Sequence, residues 1–119
     1  MNTMQSFLML FFVLDQCFDD YPEDSLGALL GTISPELWDD GQPADKAVLL
    51  DWVSVCNPQT ITEQNIVQKI RCFLEHYEAQ FGFHFSKTKC WLASHDTERT
   101  VKKATEKTAE MYKKFRYTN

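Results

Sequence analysis

Residues 7–14 read FLMLFFVL, and no other stretch limits the fold as strongly. Met4, Phe7, Leu8, Phe11, Leu14 and Phe18 recur at spacings of three and four, the signature of a helix. Met9, Leu10, Phe12 and Val13 fill the positions between them, so the helix is apolar on most of its circumference. Such a helix has to be covered on most sides. The sequence therefore predicts a central core helix over 4–20, ending near Tyr21-Pro22, with the rest of the chain packed around it. An eight-residue run is too short to cross a bilayer, which takes about 20 residues. Nor does it read as a secretory signal: the first base in the chain is Lys46, and Leu14-Asp15-Gln16-Cys17 lacks the small residues of a lipoprotein site.

The 119 residues suit a single domain, 1–119, able to bury a core of modest size. Five further stretches carry helix signals. In residues 24–31, Asp24 or Ser25 is placed to cap a short helix through Leu30 that Gly31 closes. Ser34-Pro35-Glu36 is a second helix start, with Pro at the first helical position. Asp39-Asp40-Gly41 reads as a turn, and Asp45 caps a helix placing Leu49, Trp52, Val53 and Cys56 on one face. After Asn57-Pro58, Thr60 and Glu63 form a capping-box pattern, with Thr62 as an alternative cap. The helix that follows puts Ile66, Ile70, Phe73, Leu74, Tyr77 and Phe81 on one face and stops at Gly82. Residues 82–85 alternate as a short strand would, although an aromatic clasp on the core fits them better. Cys90-Trp91-Leu92 returns to the core. The last helix starts near Ser94 or Asp96 and carries a narrow stripe of Val101, Ala104, Thr108, Met111 or Tyr112, and Phe115. The fold class is all-α: a single-domain bundle of about four principal helices with short helical turns and at most a minor strand.

Charge is unevenly distributed. Residues 1–45 hold nine acids and no Lys or Arg, whereas residues 87–119 hold nine bases and four acids, within a net charge of −5. One reading is that the two ends neutralise each other in the fold; the other is that the acidic end docks a basic partner. The acidic total argues against direct nucleic-acid binding, and the basic last helix is explained by ordinary amphipathic packing.

No constellation carries chemistry. Cys72, His76, His84 and Cys90 have soft-ligand types in a C-x3-H-x7-H-x5-C spacing that matches no common zinc module, so no metal and no cofactor are expected. Ser94-His95-Asp96 are neighbours and cannot serve one another as nucleophile, base and orienter. Asp39-Asp40-Gly41 lacks the alternating ligands of a calcium loop. In Leu26-Gly27-Ala28-Leu29-Leu30-Gly31 no Lys-Ser/Thr follows, so the glycines suit close backbone packing better than phosphate binding. The cysteines at 17, 56, 72 and 90 have no CxxC and read as reduced, mostly buried thiols of a soluble, cytoplasmic, non-enzymatic protein.

The stretch Tyr21–Trp52 resembles small bacterial proteins found beside polymorphic and contact-dependent growth-inhibition toxins. Their pattern runs D-x-L-G-x-L-L-G, then S-x-x-L-W-x-D-G-x-P-A-D, then an alanine and x-D-W. It is matched here by Asp24, Leu26, Gly27, Leu29, Leu30 and Gly31, by Ser34, Leu37, Trp38, Asp40, Gly41, Pro43, Ala44 and Asp45, and by Ala47, Asp51 and Trp52. Lys46 stands where the pattern has Pro, and Leu49 where a Trp is usual. The resemblance implies an immunity protein that blocks a cognate toxin domain, commonly a nuclease, without catalytic residues, membrane or nucleic acid. The alternative is a helical adaptor or regulatory module working through its basic last helix. The acids of this sequence that suit toxin binding are Glu36, Asp39 and Asp40 around Trp38, and Asp19, Asp20 and Glu23 after the first helix. Trp38 is either their anchor or a core residue. Asp24 and Asp45 are discounted as caps.

Overall fold

The computed structural model describes residues 1–34, 46–94 and 96–115. These residues form six α-helices: α1 (Thr3–Asp20), α2 (Asp24–Ile33), α3 (Lys46–Cys56), α4 (Ile66–Phe81), α5 (Ser86–Ser94) and α6 (Thr97–Phe115). A 3-10 turn, Pro58–Thr60, joins α3 to α4, and there is no strand among the described residues. The all-helical class is as expected; α2 and α5 are full helices that raise the count above four. The described parts extend about 35 × 28 × 26 Å.

The first helix is the hub. Asn2 caps α1 through a reciprocal box, its Oδ1 accepting from Gln5 N at 2.8 Å and its own N–H donating to Gln5 Oε1 at 3.3 Å. Every residue from Phe7 to Leu14 is buried, because α1 touches each of the other five helices. Fully burying a large apolar side chain is worth about 1.5–3 kcal/mol, so this one helix accounts for much of the core. Its one fully buried polar side chain, Ser6, accepts from Trp52 Nε1 at 2.9 Å and donates to Thr3 O, which locks α3 to α1.

Helix α6 lies antiparallel along α1. Gln16 Nε2 donates to Thr100 O at 3.1 Å near one end, Thr105 Oγ1 sits 3.7 Å from Met9 Sδ midway, and Tyr112 OH donates to Asn2 Oδ1 at 2.9 Å near the other. The buried stripe of Val101, Ala104, Thr108 and Met111 is the one expected, with Thr100 added. Asp96 caps the helix by accepting from Arg99 N.

Five local expectations are corrected. Gly31 does not close α2; the helix continues to Ile33, whose complete burial outweighs the roughly 1 kcal/mol propensity cost of an internal glycine. Neither Asp24 nor Ser25 caps α2: Glu23 holds the N-cap position without a side-chain bond to this helix, and Ser25 Oγ accepts instead from His84 N. On α3 the buried face runs through Val48, Trp52 and Cys56, leaving Val53 37% exposed, because Trp52 turns onto Phe73 with ring centroids 5.3 Å apart. The Thr60/Glu63 capping box is absent. Asn65 organises that turn, accepting from Thr62 N and donating to Thr60 O, and α4 begins only at Ile66. Gly82, in the left-handed region at φ +72°, does end α4, and its N–H donates to Glu78 O. Phe81 is 61% exposed, although Phe85 after it is fully buried as the clasp predicted.

Candidate interaction surface

The end of α1, the start of α2 and α5 meet at one corner, and three of the predicted docking acids are there. Asp19, Asp20 and Glu23 are brought together, but two of them are engaged in the fold. Glu23 accepts from Lys87 N at 3.1 Å, from Thr88 N at 3.2 Å and from Thr88 Oγ1 at 2.9 Å. It is therefore the N-terminal cap of α5, supplied from the far side of the sequence because the residue before α5, Phe85, has no polar side chain. Asp20 Oδ2 accepts from Trp91 Nε1 at 3.1 Å, holding the indole of α5 against α1. Asp19 stays exposed. Glu36, Trp38, Asp39 and Asp40 lie outside the described residues, as does the predicted cap Asp45.

Beside this corner is a cleft of about 360 Å³ in which Asp19, Asp20 and Asp96 share walls with Arg99 and Lys103. The acidic and basic ends of the chain thus face each other here, as mutual neutralisation requires. Helix α6 nevertheless leaves Arg99, Lys103, Lys107 and Lys114 exposed at spacings of four, four and seven along its outer surface. Lys107 Nζ stands 5.8 Å from the centre of the Phe12 ring, within cation–π range.

A second carboxylate tie sits on the other side of α5. Glu78 Oε2 accepts from Phe85 N at 3.0 Å, and Glu78 Oε1 pairs with Lys89 Nζ at 2.6 Å. The Lys89 bond, with the Phe85 N–H, holds the Glu78 carboxyl below its ordinary pKa.

The thiols divide evenly rather than being mostly buried: Cys17 and Cys56 are buried, Cys72 and Cys90 exposed. The reason is position on amphipathic helices, since Cys72 and Cys90 fall on the outer faces of α4 and α5. Burial pushes both the Cys17 and Cys56 thiols up to about 12, so neither is a thiolate at neutral pH. Among the described residues no group of three or more His, Cys, Asp or Glu side chains is arranged to hold a metal. Of the Ser94-His95-Asp96 run, Ser94 donates to Cys90 O and Asp96 caps α6, while His95 lies outside the described residues.

One contact that organises the site escaped sequence reasoning. The capping of α5 by Glu23 joins residues 64 and 65 positions apart, and nothing local to either end announces it. Ser6 left more of a signal, being a hydroxyl directly before the unbroken apolar run from Phe7 to Leu14. No helix among the described residues is long and apolar enough to cross a membrane. Compared with known family models, with curated protein sequences and with solved structures, the chain matches none.

Proposed function

We propose that this chain is a cytoplasmic immunity protein that binds and neutralises a cognate toxin domain, a nuclease, by protein–protein contact and without catalysis. The observation that carries this reading is the pattern shared over residues 24–52 with proteins encoded beside growth-inhibition toxins. In the described part, its residues serve the architecture: Leu26, Leu29 and Leu30 are buried, Gly27 lies against Phe18, Trp52 is in the core and Asp51 accepts from Tyr77 OH at 2.7 Å. A pattern made of packing residues leaves the exposed surface to differ between partners. The acid-only first 45 residues suit a basic nuclease face, and charge complementarity of that kind speeds association.

Glu23 and Asp20 are set aside from the working acids because they hold α5. Asp19 remains with Glu36, Asp39, Asp40 and Trp38. In cells expressing the toxin encoded beside this chain, the triple reversal Glu36→Lys, Asp39→Lys, Asp40→Lys is expected to abolish protection while leaving the melting curve nearly unchanged. Affinity for the toxin should weaken and lose its salt dependence. Full protection at unchanged affinity would place the toxin elsewhere on the molecule. The adaptor reading draws on the exposed cations of α6; a neighbouring reading frame that is no toxin, together with capture of a partner abolished by Lys103→Glu and Lys107→Glu, would favour it.

A further inference from the structure

Helices α4 and α6 both rest on α1, and the space between the start of α4 and one flank of α6 is open. It forms a groove of about 830 Å³ that continues into a second hollow of about 300 Å³; Glu63 and Thr105 line both. The two together follow α6 from Thr97 to Tyr112, a length of about 23 Å at helical rise. Apolar side chains line it along its length: Val67 and Val101 at one end, Met9 and Ala109 at the other.

The rim is unequal in charge. Glu63, Glu98 and Glu106 line the groove with Lys102 as the main opposing cation. Two further charged residues at its end are otherwise engaged: Asp96 caps α6, and Arg99 also borders the cleft on the opposite flank of that helix. Across the groove Thr105 Oγ1 is 3.4 Å from Glu63 Oε1, but its shorter bond, 2.9 Å, goes to Val101 O. Glu63 is therefore only weakly held. Shape, apolar floor and excess carboxylates together describe a seat for one helix with a narrow apolar face and cationic flanks.

We infer that the groove between α4 and α6 docks a basic amphipathic helix of the protein partner. The inference rests on the partner-binding role proposed above and names a place for it apart from the acids at 36–40. About four turns of helix fill the groove, with apolar residues at every third or fourth position toward Val67, Val101 and Ala109. Lys or Arg on its flanks meet Glu63, Glu98 and Glu106.

The test uses a 16-residue peptide with Leu at positions spaced three and four apart and Lys elsewhere, titrated into the isotopically labelled full chain. Two controls accompany it: a scrambled peptide of identical composition, and one with Glu in place of Lys. The expected result is that amide shifts concentrate in 63–67 and 97–112, and that the scrambled peptide binds about tenfold more weakly. Glu63→Lys with Glu106→Lys should weaken binding by about tenfold or more, whereas the equal charge reversal Glu75→Lys with Glu110→Lys, outside the groove, should change it far less. Equal binding of the scrambled peptide, shifts centred elsewhere, or the same shifts on merely concentrating the protein would overturn the inference; the last would make a second copy the occupant. Toxin protection separates the two proposals. If Glu63→Lys with Glu106→Lys loses the peptide but still protects, the toxin is not held in this groove and the immunity reading survives. If wild type binds the peptide in the groove yet gives no protection, the immunity reading fails and the docking site stands.

Discussion

Ser6 shows how a single polar atom can fix the relation between two helices. Its hydroxyl is the acceptor for the fully buried Trp52 indole. Ser6→Ala would leave that N–H unpaired in the core, at about 1–3 kcal/mol. Trp52→Phe removes the donor as well, and in the Ser6→Ala background it should cost less than in wild type; a double-mutant cycle by urea denaturation measures the difference. The glycines of α2 give a contrast at the same scale. A Cβ on Gly27 would stand 3.0 Å from Phe18 Cε1, while one on Gly31 would meet nothing within 4 Å. Gly31→Ala should therefore raise stability by about 0.5–1 kcal/mol, and Gly27→Ala should lower it unless the Phe18 ring shifts. Melting curves of the two variants should move in opposite directions. The sequence could place both glycines on a helix, but not say which approached a neighbour, since Phe18 reaches Gly27 through the α1–α2 angle.

Helix α5 is the element least able to stand alone. Nine residues long, it is too short to be stable by propensity, and its N-terminus is held by Glu23 and by Glu78 acting through Phe85 N and Lys89. Glu78 has a folded pKa below its ordinary value of 4.5. A carboxyl depressed in this way contributes its stabilisation in full above the unfolded value and loses it as pH falls through the lower folded value. Protection factors for amide exchange in α5 should accordingly fall on acidification below about pH 4.5 more than those in α4 do, and Glu78→Gln should reduce that difference. Glu23→Ala should weaken α5 by about 1 kcal/mol or more. Elements with a local signature were legible: α1 and α6 from their periodicity, the end of α4 from Gly82, the start of α6 from Asp96. The helical state of 86–94 was not, because its apolar residues are few and its caps come from distant chain. The acids at 19–23 were legible as a cluster, while their engagement by Thr88 and Trp91 depends on how α5 docks.

At the scale of the molecule, one helix is covered by all the others, and the longest of its partners comes from the opposite end of the sequence. Removing 96–119 should expose Met9 and the neighbouring apolar face of α1. The shortened chain should bind a hydrophobic dye strongly, associate in sizing experiments and lack a cooperative thermal transition. A shortened chain that melts cooperatively as a monomer would show that α2 to α5 suffice to close the core. The antiparallel seating of α6 on α1 also sets a timetable for synthesis. The most apolar segment is made before α6 and, at about 5–20 residues per second, waits for that cover. For those seconds the newborn chain carries FLMLFFVL without α6 against it, so its yield should depend on holding chaperones, and on the pace of translation through the codons of α6, more than its finished stability suggests.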